Sequence, residues 1–125
     1  MYELTQKEHD AVLSLNAEYR QAHFLQKVKE EQGLYILLQD DGPYLLEDTE
    51  EDDDNKKSYI LPVWCHEQYA TEYAKAEILD GLKPQFVTLK AWNENWVKML
   101  QDQSLLLGFM LVSDGDFTVE DPIAF

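Results

Sequence analysis

Residues 59–76 read YILPVWCHEQYATEYAKA, and this stretch predicts a β-strand that passes directly into an α-helix. Aromatic and aliphatic residues fill positions 59–64, as is typical of a strand. Apolar residues then recur at helical spacing through positions 67–76. Pro62 has no N–H to donate, so we expect it at a sheet edge or where strand pairing has stopped. Cys65-His66 is predicted to open the helix.

Together with the elements predicted on both sides of it, this strand and helix give the order α-βββ-α-β-α-ββ along the chain. A first helix begins at Thr5, which has capping-box spacing to Glu8, and runs without Gly or Pro to about Glu31, before Gly33. The other predicted strands are residues 34–38, 44–46, 85–89, 105–112 and 117–119. A third helix is predicted from one apolar stripe formed by Trp92, Trp96, Met99 and Leu100. Aromatic residues at helical spacing indicate core packing more often than a stacking site for a ligand.

The predicted fold class is α+β, a single domain over residues 1–125 with a mixed sheet covered by helices. A length of 125 residues matches one domain. Strand–helix–strand crossovers favour some parallel pairing, whereas predicted turns such as Asp114-Gly115 favour antiparallel hairpins.

Acidic residues dominate the charge. The chain has 25 Asp and Glu against 10 Lys and Arg, a formal net charge of -15. Seven acids fall within residues 47–54, and without them the charge is still -8. We predict that residues 47–57 form an acidic hairpin loop and that its acids bind a partner. These candidate partner-binding residues are Glu47, Asp48, Glu50, Glu51, Asp52, Asp53 and Asp54.

Several classes of function are disfavoured by the sequence. Phosphate backbones and anionic lipids attract basic patches, and none is present, so we expect no direct binding to nucleic acid and no membrane association. The longest apolar run, residues 105–112, is too short to span a bilayer. The one cysteine, Cys65, cannot form an internal disulfide, and the expected compartment is the cytoplasm of a bacterium.

Catalytic, metal and cofactor motifs were each weighed against structural alternatives, and we expect no catalytic residue, metal or cofactor. An EF-hand loop starting at Asp48 would have Asp53 where Gly is needed and Tyr59 where Glu is needed. His9 and His23 lie fourteen positions apart, too far along one helix to share a metal. The glycines form no phosphate-binding loop, and the serines lie in no nucleophile elbow.

The chain resembles a bacterial family known only as domain of unknown function 2750. The resemblance rests on residues 60–64 (ILPVW), followed by Glu67, Tyr69-Ala70 and Ala74, and it extends over roughly residues 8–120. It implies a compact α and β fold of about this length. It implies no activity, cofactor or catalytic residue.

Two hypotheses of function follow. The first is a non-enzymatic cytosolic protein that binds a basic protein through its acidic surface, as an inhibitor, an immunity-like protein or a mimic of nucleic-acid charge. The alternative is a small-molecule-binding or enzymatic domain with a pocket at the strand–helix junction of residues 62–66, where Trp64, Cys65 and His66 would contact the ligand. Either a monomer or a homodimer is compatible with the broad apolar surface of the first helix.

Overall fold

The computed structural model describes residues 4–40, 42–48, 58–77, 81–112 and 117–125. These residues form an α+β fold, which confirms the predicted class. The helices are α1 (Gln6–Leu13), α2 (Ala17–Glu31), α3 (Glu67–Ala76) and α4 (residues 89–102). The strands are β1 (Gly33–Gln39), β2 (Gly42–Pro43), β3 (Leu46–Asp48), β4 (Ser58–Val63), β5 (Lys83–Thr88), β6 (Leu106–Phe109) and β7 (Thr118–Glu120).

Two sheets take the place of the single mixed sheet that the sequence predicts. Strands β2-β1-β5 form an antiparallel sheet, and β3-β4-β6-β7 form a second sheet in which β4 and β6 run parallel. A backbone bridge between Tyr35 and Trp64 joins them, with N–H···O distances of 2.8 and 2.9 Å. The backbone hydrogen-bonding groups of successive residues point to alternate sides of a strand. Those of Ile60, Pro62 and Trp64 therefore point to the same side. Because Pro62 lacks an N–H, the pairing on that side is interrupted, as predicted.

The predicted first helix is two helices, so the prediction of one unbroken helix is wrong. Thr5 caps α1 as expected, and its hydroxyl accepts the Glu8 N–H at 3.1 Å. The helix ends at Leu13, and the Asn16 side chain accepts the Tyr19 N–H at 3.0 Å to start α2. Asn side chains compete with the helical backbone for hydrogen bonds, which explains a joint between the two helices at this position.

Gly33 has a different role from the predicted helix end. Gln32 closes α2 in the left-handed conformation, with φ 57°. Gly33 instead opens β1, where an added Cβ would lie 2.2 Å from the aromatic ring of Phe86. The missing side chain therefore makes room for that ring.

In α4 the predicted apolar stripe is buried at Trp92 and Leu100 and half-buried at Trp96, whereas Met99 is exposed. Trp92 is fully buried, and its ring stacks on Trp96 with the ring centres 6.1 Å apart. The backbone is π-helical across Trp92–Trp96, between two α-helical segments. On the other side of Trp92 the ring of Phe125 stacks at 5.7 Å, and the Asn93 amide makes two hydrogen bonds with the Phe125 backbone.

Two predicted strands have different bounds in the structure. Of the segment predicted at residues 44–46, only Leu46 lies in a strand, β3, which pairs with β4, whereas Tyr44 and Leu45 connect β2 to β3. The last apolar strand, predicted over residues 105–112, ends at Phe109. Met110 adopts φ 50°, and this left-handed conformation turns the chain out of the sheet. Strands β6 and β7 pair antiparallel, whereas the turn predicted at Asp114-Gly115 lies outside the described residues.

Candidate functional site

A cavity of about 180 Å³ lies where the parallel strands β4 and β6 end. Their carboxyl ends meet at one edge of the sheet, and α1, α2 and α3 complete the walls. Among the described residues the lining is mostly apolar and aromatic, with an arginine and a glutamate as its charged groups. The lining residues are Leu13, Arg20, Trp64, Tyr69, Glu72, Tyr73, Ala76, Met110, Leu111 and Val112.

Arg20 brings a buried positive charge into the cavity wall, and its side chain holds two backbone segments. The guanidinium donates to the Leu15 carbonyl at 2.7 Å, at the joint between α1 and α2. Its Nε donates to the Met110 carbonyl at 3.3 Å, where the chain leaves β6. A left-handed conformation is uncommon for a residue other than glycine, so the Arg20 contact helps to hold Met110 in it.

Three aromatic side chains form the floor of the cavity. Trp64 donates its indole N–H to the Leu111 carbonyl at 3.1 Å, and its ring lies 5.5 Å from that of Tyr73. Burial raises the pKa of Tyr73 to about 12 and also raises the pKa of Tyr69. The Tyr69 hydroxyl is buried and has no hydrogen-bond partner among the described residues. The floor therefore consists of neutral aromatic surface.

His9 connects α1 to α3 beside the cavity. Its Nε2 lies 2.5 Å from a Glu72 carboxylate oxygen, and its Nδ1 lies 3.0 Å from an Asp10 oxygen. The imidazole also stacks on Tyr69, with ring centres 5.7 Å apart and planes inclined by 4°. The hydrogen bond to Asp10 raises the pKa of His9 most, and Glu72 adds to it against the opposing effect of burial. Both carboxylates therefore favour the protonated, charged form of the imidazole.

The predicted acidic site is only partly within the described structure. The backbone of Glu47 and Asp48 lies in β3, and pairing of Asp48 with Ser58 sets the two ends of the connecting segment side by side. The other five predicted residues, Glu50, Glu51, Asp52, Asp53 and Asp54, lie outside the described residues.

The three residues of the predicted pocket separate in the structure. Trp64 lines the cavity, so this part of the sheet edge is concave as the alternative hypothesis requires. Cys65 is 2% exposed, and burial raises the pKa of its thiol to about 12. His66 caps α3, because its Nδ1 accepts the Gln68 N–H at 3.1 Å. Cys65 and His66 thus have the structural role at the helix start that the sequence predicts.

The polar residues around the cavity were not predictable from sequence spacing. His9 and Glu72 are 63 positions apart, and Arg20 and Met110 are 90 positions apart. One local signal was present, since Arg20 precedes Phe24 and Val28 at four-residue spacing, on a helix face that otherwise carries apolar residues. Such an arginine needs acceptors when it is buried, and backbone carbonyls satisfy that need here.

Two further observations concern metals and membranes. Within the described ranges, no three His, Cys, Asp or Glu side chains come together in a group that would hold a metal ion. Among the helices of those same ranges, none has both the length and the apolar character needed to cross a membrane.

Comparison with known families agrees with the resemblance drawn from the sequence. The family described as "Protein of unknown function (DUF2750)" matches residues 21–125. The chain belongs to this family. The match includes the cavity residues on α3 and after β6, whereas α1 and Arg20 precede it. No curated protein matches the chain. Membership in DUF2750 therefore assigns no activity.

Proposed function

We propose that this protein binds a basic protein, whose contact surface inserts one apolar side chain into the cavity. The size of the cavity carries the proposal. Sites for small organic ligands commonly measure about 300–1,000 Å³. A cavity of about 180 Å³ is closer to the engineered one of about 150 Å³ that admits benzene, so it fits one aromatic or branched side chain.

Charge supports the choice of a basic partner. The chain carries -15, and Glu72 at the cavity is 45% exposed beside the also exposed Asp10. A surface of this sign attracts cationic partners and speeds their encounter. Buried apolar anchors surrounded by charged residues are the usual arrangement of a protein interface. An inhibitor, an immunity-like protein and a charge mimic are all versions of this function.

A capture experiment with matched bait variants tests the proposal. Ala76→Trp fills the cavity mouth, and Ala124→Trp makes the same change at an exposed position outside the cavity. Glu50→Gln, Glu51→Gln and Asp52→Asn together reduce the charge of the acidic segment. Their control is the equal change Glu94→Gln, Asp102→Asn and Asp121→Asn at exposed positions elsewhere.

Each bait is exposed to lysate at about 0.05 and about 0.5 M salt, which spans weak to strong screening. We expect a basic protein to be held at low salt by wild type and by both controls. Ala76→Trp and the acidic-segment variant should release it. Capture of no basic protein, or equal capture by all five baits, would overturn the proposal.

One observation favours a second candidate, the binding of a small molecule. The cavity lies at the carboxyl ends of two parallel strands, where ligands of α/β sheets often bind. Indole is a suitable probe because its size matches the volume. If indole raises the melting temperature of wild type but not of Ala76→Trp, the cavity accepts free ligands. An unchanged melting temperature in both proteins would count against this candidate.

A further inference from the structure

We propose that α1 is a proton-controlled lid over the cavity, held closed by the contact between His9 and Glu72 and released as the pH rises above neutral. This inference rests on the proposed function, because the cavity that the lid covers is the proposed binding site. It adds a mechanism of regulation that the charge and size of the site do not imply.

The lid function follows first from access to the cavity. The floor residues Trp64, Tyr69 and Tyr73 are each less than a tenth exposed, so movement of a wall would give an entering side chain more access to them. Leu13, the last residue of α1, lines the cavity and is 40% exposed. Movement of α1 would therefore widen the mouth without disturbing either sheet.

Helix α1 is also the wall that is most easily moved. It has only eight residues and is separated from α2 by the joint at residues 14–16. Short helices have little stability of their own and depend on tertiary contacts. Its attachments in the described structure include the burial of Val12 and His9, the stacking of His9 on Tyr69, a long Glu8–Lys27 ion pair of 3.8 Å, and the His9–Glu72 hydrogen bond.

The hydrogen-bond geometry makes the attachment depend on a proton. Both nitrogens of His9 face carboxylate oxygens, and an ionised carboxylate only accepts hydrogen bonds. Both nitrogens must therefore carry a proton for both bonds to exist. Loss of either proton leaves a nitrogen lone pair facing a carboxylate lone pair. Neutral His9 thus keeps one of the two bonds and loses its charge attraction to both acids.

The charged groups around His9 favour the protonated form. Asp10 acts from α1 itself and Glu72 acts from α3, whose Tyr69 contributes an uncharged ring face. From α2, Lys27 pairs with Glu8 and Glu30, and no α2 group acts on the pKa of His9.

The sign of the pH effect follows from linkage. The pKa of His9 is raised above its ordinary value of 6.5 when α1 is docked. The stabilisation of the docked helix is complete below the pKa of His9 in released α1 and disappears as the pH rises through the raised pKa of the docked state. Each unit of difference in the pKa between docked and released α1 corresponds to a tenfold change in the docking equilibrium, at about 1.4 kcal/mol per unit.

Amide hydrogen exchange of the isolated protein tests the lid. Protection factors of the α1 amides are measured by NMR at about pH 6 and about pH 9, on either side of the histidine range. We expect α1 protection to fall about tenfold for each unit by which the pKa of His9 in docked α1 exceeds its pKa in released α1. Amides of α4 provide the reference and should keep their protection.

The variant His9→Gln removes the titration and should leave α1 weakly protected at both pH values. Glu72→Gln is a second variant that should reduce the pH dependence while His9 remains. If α1 of wild type keeps the same protection at both values, or if His9→Gln loses it between them as wild type does, there is no proton-controlled lid.

Control of access is tested with the captured partner. Wild type should hold it more tightly at about pH 9 than at about pH 6, and His9→Gln should hold it equally at both. Equal affinity of wild type at both values would overturn control of the cavity. The exchange experiment needs no partner, so failure to capture any protein would count against the proposed function and not against the lid.

Discussion

The Nε of Arg20 donates a hydrogen bond to the carbonyl of Met110 across 90 positions of sequence, at 3.3 Å. The same guanidinium donates to the Leu15 carbonyl, so a single buried side chain fixes the joint between α1 and α2 and the end of β6. These are two of the cavity walls. The shape of the site therefore depends on a residue whose donors face the backbone.

Replacing Arg20 with leucine should destabilise the fold by about 2–5 kcal/mol, because each buried acceptor left without a donor costs about 1–3 kcal/mol. Urea unfolding monitored by circular dichroism measures the change. The control Lys29→Leu lies on the same helix at an exposed position and should change stability by less than about 0.5 kcal/mol. Equal effects of the two substitutions would show that the Arg20 contacts contribute nothing.

Gly33→Ala should be destabilising by about 1–3 kcal/mol, since the new methyl group overlaps the Phe86 ring and the strand must shift. A double-mutant cycle with Phe86→Ala checks this cause. Without the Phe86 ring, Gly33→Ala should destabilise the protein less. Part of the destabilisation should remain, because the Val87 carbonyl oxygen lies 2.8 Å from the added Cβ. Strict additivity of the two changes would contradict steric overlap between these residues.

His66→Asn should make the stability of the folded protein less sensitive to acid. Burial lowers the pKa of His66 below 6.5, and the cap requires an unprotonated Nδ1 to accept the Gln68 N–H. The contribution of the His66 cap to stability is therefore present above pH 6.5 and is lost as the pH falls through the lowered pKa. Asparagine keeps the acceptor without titrating, and the cap is worth about 1 kcal/mol. The comparison is the urea midpoint at about pH 5 and about pH 7.

In the His66→Asn variant, the remaining loss of stability in acid should come from His23, whose pKa burial also lowers. His9 acts with the opposite sign, because its raised pKa stabilises the fold at low pH. If the variant and wild type lose the same stability between the two pH values, the cap does not depend on the charge of His66.

Cys65 should be unreactive towards alkylating reagents in the folded protein. With a pKa of about 12, only about one thiol in ten thousand is ionised near pH 8, and the side chain is 2% exposed. Iodoacetamide labelling followed by mass spectrometry should show rapid modification only after unfolding in urea. Rapid labelling of the native protein would support an activated thiol and would favour the enzymatic alternative.

Local sequence signals predicted the parts of the fold that depend on neighbouring residues. The bounds of α3 and the burial of Trp92 and Leu100 in α4 follow from apolar spacing, and Pro62 marks an interruption in pairing. The joint at Asn16 was missed because a polar residue in a helical pattern is usually tolerated on the solvent side. Its effect here depends on Arg20, which holds the preceding Leu15 carbonyl.

The cavity was only partly predictable for a similar reason. A pocket after Trp64 follows from the strand–helix junction, but the other walls come from distant parts of the chain. The left-handed Met110 and the pairing of His9 with Glu72 are tertiary features, and no spacing rule encodes them. Charge was informative about the class of partner and gave no information on where the cavity lies.

Isothermal titration of the captured basic partner measures the two contributions to the proposed interface separately. In wild type the affinity should fall between about 0.05 and about 0.5 M salt, because screening weakens the attraction of the acidic surface. The Glu50, Glu51 and Asp52 variant should lose most of this salt dependence. Ala76→Trp should weaken binding at both salt concentrations and keep the salt dependence. An affinity that is the same for wild type and both variants at each salt concentration would contradict binding through this cavity and the acidic segment.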